Sequence, residues 1–506
     1  MEVVNLKFNI SLFFLSLFLI VNSVNAATYY VDYYNGNDNN VGSQQQPWRT
    51  ISRAETIMRA GDTVIVHPGV YNERVSIRGI SGTSFAPITY QAEDGVIMLG
   101  FDIYENYTNI INFKIINSSS SGIYLQGSYN TIKNNYIYNP YGYGIEIGTH
   151  GTDWEKDPLM YTRGTNNLIS NNTIVHAITA GIITYGENNI IEYNDISRTW
   201  QGPNVEDADG LRFLGRNHVI RYNYIHDINT TESPEAHSDC YQSWGPAYNI
   251  LFEHNICYLP YFEFQGLMLE HLADSQGRFS PVDNITFKYN VWRFSRPGIT
   301  YSPGLTVTAK ENQKSFGNIY VDHNTFIRDT PGQYAVWFNN NTNIVIKNNI
   351  FYNGVSGMYP ENQNYIAGNI VRIRMPASEI IADYNLVYRS DGINLTASSP
   401  TFGVPKGTHD IWNVNPNFND IASLDFRPRT KLADGQLNPV CSGGEGGTFI
   451  GAFPCVNATI FNSLADLNND GCVSLSEISA FVARWLNGEI SLGDVSGAVS
   501  LWLNGC

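Results

Sequence analysis

The stretch Asn130-Thr-Ile-Lys-Asn-Asn-Tyr-Ile137 sets the pattern for most of this 506-residue chain. Apolar and polar residues alternate in it, which is the period of a strand with one buried face. A second short strand follows most copies, as in Gly144-Ile-Glu-Ile147 and Gly210-Leu-Arg-Phe213. The extra length between copies always falls between the same two strands. Further copies occur at residues 167–174, 189–196, 218–225, 249–256, 284–291 and 343–350.

A repeated unit with insertions at one position is typical of a solenoid, in which each unit buries its apolar face against its neighbours. Two strands per turn, asparagine at recurring corners and no helical period predict a right-handed parallel β-helix. Asparagine suits a corner because it tolerates left-handed backbone geometry and its amide can bond to the next coil. An antiparallel β-sandwich is the alternative, and the near absence of tight Asn-Gly turns disfavours it. We expect Ile132, Ile169, Ile191 and Ile220 to form one interior column.

Composition narrows the function classes. Hydrophobic residues make up 43% of the chain, which is ample for a large core, and the formal net charge is −16. That charge argues against nucleic acid as a partner, because phosphates require clustered Lys and Arg. The abundant Tyr and Phe residues suit both ring stacking in a solenoid and sugar-binding platforms, so they favour neither.

The first 26 residues read as an export signal. Lys7 precedes the apolar run 8–21, and Val24-Asn-Ala26 gives the small residues that a signal peptidase requires. The run is short for a membrane span, although an uncleaved anchor is the alternative. No other segment reads as a transmembrane span, so we expect a secreted or cell-surface protein, in which cysteines can pair.

Residues 27–100 differ from the repeats and form the predicted N-terminal cap with the first coils. Thr50 should cap a helix over residues 50–60 that Gly61 ends, and a strand should follow at 62–66. The segments Tyr30-Val-Asp, Pro47-Trp-Arg-Thr-Ile, Gly61-Asp-Thr-Val and Pro68-Gly-Val-Tyr resemble the capping module of secreted, pectate-lyase-like β-helix proteins. The resemblance implies the fold but not the chemistry, because that superfamily holds lyases, hydrolases, epimerases and non-enzymes.

Residues 101–456 are the predicted β-helix. Asn415-Pro-Asn-Phe418, Asp425-Phe426 and Ile450-Gly-Ala452 resemble the closing coil common in this superfamily. Cys441 and Cys455 bracket a glycine-rich loop, and we expect them to pair. Cys240 and Cys257 fall on neighbouring turns, where a disulfide and two buried thiols both remain open.

A calcium loop follows a linker at residues 457–465. The segment Asp466-Leu-Asn-Asn-Asp-Gly-Cys-Val-Ser-Leu-Ser-Glu477 matches the twelve-residue EF-hand loop at every ligand position. Ser474 should act through water. The predicted direct ligands are the side chains of Asp466, Asn468, Asp470 and Glu477 and the carbonyl of Cys472.

Residues 466–506 repeat a loop and a helix without a leading helix, and so resemble a dockerin, the calcium-dependent module that docks enzymes onto cohesins. The second loop has Ala483 and Trp485 at ligand positions, so we expect one calcium ion. The resemblance implies a cohesin-like or cell-surface docking partner. Cys472 and Cys506 could join the two ends of the module.

Two adjacent coils hold the densest run of ionisable residues, 206–212 and 235–242. Aligning the closing Gly215 with Gly245 stacks Asp207 with His237, Asp209 with Asp239, and Arg212 with Gln242. Parallel strands lie about 4.8 Å apart, so these groups should be neighbours. Glu270 and His271 fall just beyond the strand of the next coil.

Close carboxylates push their pKa values apart, which can make one an acid and the other a base. Asp209, Asp239 and His237 are therefore the predicted catalytic residues, with His237 as a proton shuttle. The predicted substrate-binding residues are Asp207, Arg212, Gln242, Glu270 and His271. Two alternatives stay open: an aspartate ladder that only stabilises the solenoid, and a second calcium site.

The pattern indicates a carbohydrate-active enzyme that cleaves a polysaccharide laid along the helix side. Paired aspartates with a histidine slightly favour hydrolysis over polyuronate lyase chemistry, because no clear lyase lysine stands in the two coils. The alternative is a non-catalytic adhesin or glycan-binding solenoid attached through the calcium module. Polar residues concentrated on two coils favour the enzyme.

Overall fold

The chain forms a right-handed parallel β-helix in which each coil carries up to three short strands, one in each of three columns. The computed structural model describes residues 26–148, 163–200, 208–228, 238–260, 265–270, 282–294, 304–308, 316–332, 335–339, 341–354, 366–367, 371–374, 379–395, 407–456, 473–474, 477–479 and 482. Over these residues, no helix is long and apolar enough to span a bilayer.

In the part of the chain that the structure describes, the first column is a 14-stranded sheet. It comprises Thr28–Val31, Thr63–Val66, Ile88–Ala92, Thr108–Ile111, Thr131–Lys133, Leu168–Ser170, Ile190–Glu192, Gly215–Arg216, Val219–Arg221, Ala247–Glu253, Val282–Lys288, Phe316–Asp322, Asn341–Lys347 and Ile380–Asp383.

Over the same described residues, the second and third columns merge into one 23-stranded sheet, because the long strands Gly69–Ile77 and Val96–Ile103 contribute to both. The second column continues with Lys114–Ile116, Tyr136–Tyr138, Thr173–Val175, Asp195–Ser197, Tyr224–His226, Ile256–Leu259, Val291–Phe294, Thr325–Gly332, Ile350–Gly354, Leu386–Tyr388 and Ile411–Trp412. The third continues with Ile123–Leu125, Ile145–Ile147, Thr179–Thr184, Ala208–Phe213, Asp239–Ser243, Gln265–Glu270, Leu305–Thr308, Val336–Asn339, Ile366–Ala367 and Val371–Arg374.

Parallel pairing dominates the described strands and excludes the β-sandwich. The exceptions are Ile366–Ala367 with Val371–Arg374, and the hairpin of Phe418–Asp420 with Asp425–Pro428. The predicted interior column is confirmed, because the register places four fully buried isoleucines one above the other. They are Ile132, Ile169, Ile191 and Ile220.

The prediction of two strands per turn is wrong, because the stretch 130–137 is not one strand. It forms the strands Thr131–Lys133 and Tyr136–Tyr138, separated by a corner at which Asn134 has a φ of 59°. The left-handed residue turns the chain from the first column into the second. Ile132 and Ile137 both face the interior although they are five positions apart, so the alternation shifts by one residue at the corner.

A row of buried side chains, which we call the asparagine ladder, runs beside this corner. In a typical rung, the Asn172 N–H donates to Asn194 Oδ1 at 3.0 Å, and Asn172 Nδ2 donates to Ile132 O at 2.9 Å. Each amide therefore satisfies backbone groups that the corner removes from the strand pairing. The ladder comprises Asn135, Asn172, Asn194, Asn223, Asn255, Asn290, Asn324, Asn349, Asn385 and Asp410.

The two disulfides found among the described residues lie in different settings. Cys240 takes the place that Gly210 has in the preceding coil, and its partner Cys257 stands in register with Ile225. A Cβ on Gly210 would lie 2.4 Å from Ile225 Cγ2, so one coil closes this contact with a disulfide where its neighbour uses glycine against isoleucine. Cys441 and Cys455 are also paired, as the sequence leads us to expect.

The N-terminal helix is shorter than predicted, at Ser52–Ile57, and Thr50 does not cap it. Its first N–H groups instead meet a carboxylate from the third strand of the chain. Glu73 accepts from the N–H of Ile51 at 2.8 Å and of Ser52 at 3.0 Å. A local motif could not reveal this distant cap.

Residues 418–452 do not form a closing coil. They make a C-terminal strap that packs on the outside of the second column, with Phe418, Phe426, Val440, Ile450 and Ala452 against outward-facing apolar residues of five coils. Those residues are Ile256, Val291, Ile327, Ile350 and Leu386. The described coils end at Ile411–Trp412, and the chain then turns back down the helix.

Candidate active site

The third column places one outward-facing side chain in each coil between two interior ones. The pairing aligns these side chains in what we call the outward row, which is Asp102, Tyr124, Glu146, Ile183, Arg212, Gln242, Met268 and Thr306. The row is half-buried from Asp102 to Glu146 and buried from Ile183 to Gln242. The outer face of the sheet is therefore covered where the charged Arg212 stands.

Asp209 and Arg212 form a buried ion pair in which the Arg212 side chain alone keeps a small exposed area. Arg212 Nε donates to Asp209 Oδ2 at 2.6 Å, and the Arg212 and Asp209 side chains are 5% and 0% exposed. Arg212 Cζ lies 4.8 Å from the centroid of the Trp244 ring, a cation–π contact. The carboxylate and the indole thus fix the guanidinium from two sides.

Asp239 continues the arrangement in the next coil. Its N–H donates to Asp209 Oδ1 at 3.0 Å, and its own Oδ1 accepts from the N–H of Gln265 at 2.8 Å. Gln242 Nε2 lies 3.4 Å from Asp239 Oδ2. Gln242 also stands in register with Arg212, which is the juxtaposition that the alignment of Gly215 with Gly245 predicts. One oxygen of each carboxylate is thus engaged by backbone.

Two side-chain amide oxygens beside Asp239 are buried without a donor in the part of the chain that the structure describes. They are Oε1 of Gln242 and Oε1 of Gln265. Buried polar atoms in proteins nearly always have partners, so each exception requires an explanation. A buried water, or a substrate hydroxyl that displaces the side chains covering these oxygens, would supply the donors.

An aromatic wall borders the ion pair, and sequence reasoning missed it. Burial raises the pKa of Tyr143, an effect that the neighbouring Arg212 guanidinium opposes. Burial also raises the pKa of Tyr185, which packs with Ile183 and Leu214. Both phenols stay protonated at neutral pH and can donate hydrogen bonds. Nothing in the alternating pattern marked Tyr143, because it precedes its strand.

The structure describes part of the predicted site. Asp209, Arg212, Asp239 and Gln242 come together, whereas Asp207, His237 and His271 lie outside the described residues. Glu270 ends the strand Gln265–Glu270, where its backbone pairs with Thr308. Within the described ranges, no group of three His, Cys, Asp or Glu side chains could hold a metal ion.

Of the predicted calcium ligands, Glu477 alone is described, and Asp466, Asn468, Asp470 and Cys472 lie outside the described residues. Glu477 Oε2 accepts from the N–H of Ser474 at 2.8 Å, and Ser474 Oγ accepts from the N–H of Glu477 at 3.2 Å. This reciprocal pair is a capping box, which fixes the carboxylate at the junction of loop and helix. A carboxylate held there fits the oxygen donors that calcium prefers.

Residues 29–211 match the family described as "Pel9A-like, right handed beta helix region". The match covers less than half of the chain. Over 57 residues the chain is 39% identical to the uncharacterized protein YwoF of Bacillus subtilis strain 168, and this stretch is 11% of the chain and 12% of that relative. The chain thus spans about an eighth of the length of this curated relative.

Several solved structures are also similar. Pectate lyase Pel9A is 16% identical, with 85% of this chain and 96% of that chain covered and a TM-score of 0.43. The native GH136 lacto-N-biosidase from Eubacterium ramulus is 13% identical, with 71% and 68% covered and a TM-score of 0.43. The PL6 family alginate lyase AlyGC is 11% identical, with 86% and 60% covered and a TM-score of 0.45. The fold assignment itself rests on the strand pairing.

Proposed function

We propose that this protein is an enzyme that cleaves a polysaccharide bound along the outward row. The observation that carries the proposal is the pair of buried amide oxygens, of Gln242 and Gln265, that flank Asp239 without a donor among the described residues. A polysaccharide is dense in hydroxyl groups, each of which can donate one hydrogen bond and accept others.

The buried ion pair supports the same conclusion on energetic grounds. Removing two charges from water costs more than their mutual attraction commonly returns, so such a pair is weak evidence for stabilisation. Apolar side chains fit the outward row below and above it, at Ile183 and Met268. The fold does not require a charge at Arg212, and a strongly desolvated charged pair is a candidate for a functional site.

We assign separate roles within this site. Asp209 positions Arg212, whose guanidinium binds an acidic group or hydroxyls of the substrate. Asp239 transfers protons through Oδ2, since its Oδ1 is engaged by backbone. His237 acts with Asp239 as the proton shuttle, and Asp207, Glu270 and His271 complete the contacts to the sugar chain.

Hydrolysis is slightly favoured over elimination. The Arg212 guanidinium faces a carboxylate at 2.6 Å and therefore stays protonated, as a cation rather than a base. A lyase would need another base near the proton that it abstracts. A polyuronate lyase with His237 as that base is the competing reaction.

The test is cleavage by the purified full-length protein on a panel of neutral and acidic polysaccharides, read by new reducing ends and by the absorbance of unsaturated uronates. D239N keeps an oxygen that accepts from the Gln265 N–H but loses the ionisable group. We expect a rate loss of about 10² to 10⁴ with a nearly unchanged unfolding free energy.

A D239N variant that cleaves at the wild-type rate would contradict the assignment of Asp239. If no polysaccharide is cleaved and one is bound, the protein is the adhesin or glycan-binding solenoid instead.

We also propose that the C-terminal module binds one calcium ion through Asp466, Asn468, Asp470, Cys472 and Glu477, and docks onto a cohesin-like or cell-surface partner. The capping box at Ser474 and Glu477 supports the loop assignment. Calorimetry on the full chain should detect one site that E477Q abolishes. Two unaffected sites would point to the acidic coils of the β-helix instead.

Secretion is the corresponding proposal for the first 26 residues. It rests on the apolar run and on the small residues at Val24 and Ala26. N-terminal sequencing of the exported protein should start at Ala27. A mature chain that still begins at Met1 would identify an uncleaved anchor.

A further inference from the structure

A cavity of about 390 Å³ opens at the corner between the second and third columns. Pro140, Tyr141, Ile178 and Trp200 give it an apolar and aromatic lining, and asparagine and serine side chains complete it. Its volume falls within the roughly 300 to 1,000 Å³ typical of small-molecule sites. Apolar rings together with a few hydroxyls and amides are a suitable lining for a sugar.

The aromatic part of this lining is held in place. Trp200 stacks on His176 with ring centroids 5.2 Å apart, and His176 stacks on Tyr138 at 6.1 Å. The His176 ring is itself fixed by Nδ1, which lies 2.9 Å from Asn139 Oδ1. The indole is therefore supported on one face by two coils, while Tyr141 is 62% exposed at the mouth.

The indole nitrogen of Trp200 provides an independent sign that the cavity accepts a ligand. Its indole Nε1 is buried and has no acceptor in the described part of the chain. An indole N–H normally finds a partner when it is buried, since leaving it unpaired costs about 1 to 3 kcal/mol. A small movement of the Trp200 ring would expose Nε1 to the cavity, where a ligand oxygen could accept this hydrogen bond.

The lining indicates the charge of the ligand. No Asp, Glu, Lys, Arg or His side chain is among the described residues that line the cavity. A carboxylate buried there would find no cation to pair with, and an unpaired buried charge is strongly unfavourable. The cavity therefore fits a neutral sugar better than a uronate.

The cavity adjoins the candidate active site through neighbouring residues of the chain that pair with, or hydrogen-bond to, the strand Ala208–Phe213. Ile178 lines it, and the next two residues, Thr179 and Ala180, pair with Ala208 and Asp209. On the other side, Thr199 Oγ1 donates to Ala208 O at 2.9 Å, one residue before Trp200. A sugar chain that reaches Arg212 could thus extend into the cavity.

We propose that this cavity is a subsite that binds one neutral pyranose unit of the substrate, with the sugar ring against Tyr141 and Trp200 and a hydroxyl oxygen accepting from the Trp200 indole. The proposal deepens the proposed polysaccharide cleavage and rests on it. It implies a substrate that contains neutral sugars, alone or alternating with uronates, rather than a pure polyuronate.

Native gels that contain one soluble polysaccharide each, a neutral xylan, a neutral β-glucan, a neutral galactan or polygalacturonate, measure binding of the full-length protein by its retardation. We expect at least one neutral polysaccharide to retard the wild type. Y141A should weaken that binding about two- to tenfold, the range of one aromatic contact. W200F retains a ring but lacks the N–H, and should weaken it two- to tenfold as well.

Y34A is the matched control, because Tyr34 is 73% exposed in the N-terminal region, away from the cavity. It should bind like the wild type. Retardation by polygalacturonate alone, or equal retardation of Y141A, W200F and Y34A, would overturn the proposal.

Kinetics separate this subsite from the cleavage site. If the enzyme turns over a neutral polysaccharide, Y141A should raise KM with kcat within about twofold, as expected for binding shared by ground and transition states. D239N should lose cleavage and keep retardation. If retardation depends on Tyr141 but the protein cleaves nothing, the proposed enzyme activity is wrong and the subsite stands. If the protein cleaves a polysaccharide and Y141A leaves KM unchanged, the enzyme activity stands and the subsite is wrong.

Discussion

We call Asp209 and Asp239 the aspartate corner. The asparagine ladder and the aspartate corner both accept hydrogen bonds from backbone N–H groups of a neighbouring coil, but the donating coil lies on opposite sides. In the ladder, Asn194 accepts from the N–H of Asn172, which lies in the preceding coil. In the corner, Asp209 accepts from the N–H of Asp239, which lies in the following coil. Both sets of side chains are buried.

The difference lies in the second polar atom of each side chain, which is an amide nitrogen in asparagine and a second carboxylate oxygen in aspartate. Asn194 Nδ2 donates to Ile169 O and to Asn223 Oδ1, both at 3.0 Å. A carboxylate has no hydrogen to donate and carries a charge, so Asp209 is paired with Arg212. The ladder shows that neutral side chains suffice to hold the coils together. The charged corner therefore indicates a purpose beyond stability.

The largest expected effect comes from making the corner neutral on one side. D209N leaves the Arg212 charge buried without its carboxylate, so the free energy of unfolding should fall by about 3 to 5 kcal/mol. Adding R212Q removes the remaining charge and should recover most of that loss, although neither variant should cleave substrate. Urea unfolding measures both.

A single D209N variant as stable as the wild type would contradict the picture of a desolvated pair. The asparagine ladder and the aspartate corner would then differ only in the direction of their hydrogen bonds.

A smaller loss is expected within the ladder. N223A deprives the N–H of Asn194 of its acceptor and removes the donor to Ile191 O, so unfolding should become easier by about 2 to 3 kcal/mol. N109A is the control, because it removes one bond to Thr89 Oγ1 on the outer surface and should cost less than about 1 kcal/mol. Equal losses would mean that burial adds nothing to a rung.

The smallest effect concerns Asp410, the one carboxylate in the ladder. Burial raises the pKa of Asp410 above its ordinary value, against the N–H donors of Asn385 and Gly407. Because the folded pKa is raised, the folded protein favours the protonated acid. The unfolding free energy should therefore decrease as pH rises from about 4 through the raised folded pKa.

D410N should remove this decrease, although its amide nitrogen cannot accept the hydrogen bond that Asp410 Oδ2 receives from the N–H of Gly407. Thermal unfolding of both proteins across the acidic range is the measurement. An identical slope in D410N would assign the pH dependence to other groups.

Much of the solenoid could be predicted because its apolar pattern repeats strictly from coil to coil. Ile132 and its successors follow it, and the register confirms them. The corner at Asn134 was missed, although the odd separation of Ile132 and Ile137 breaks a period of two and marks it. The C-terminal strap was also missed, although the sequence carries a signal for it. In the coils nearer the N-terminus the second-column strand begins polar-apolar, as in Thr173-Ile174. In the coils nearer the C-terminus it begins apolar-apolar, as in Val291-Trp292, because both faces of the strand are covered there.

Only the part of the site that follows from aligning Gly215 with Gly245 could be predicted. It places Arg212 beside Gln242 correctly, because a solenoid stacks equivalent residues. It cannot reveal that the outer face is buried there, since Tyr143 and Trp244 reach Arg212 from outside its strand. Nor does any local pattern show that the Trp200 N–H lacks an acceptor, because that depends on the packing of several corners.

The C-terminal strap also determines the stage of synthesis at which folding can be completed. Arg293 Nη1 donates to Ile421 O, and the Ala452 N–H donates to Thr325 Oγ1, contacts that span more than a hundred residues of chain. A nascent chain emerges from its N-terminus and its early parts fold first. The lower coils can close as they emerge, but the apolar stripe along Ile256, Val291, Ile327 and Ile350 stays uncovered until synthesis is nearly complete. Exposed apolar surface of this kind favours aggregation while the chain is incomplete.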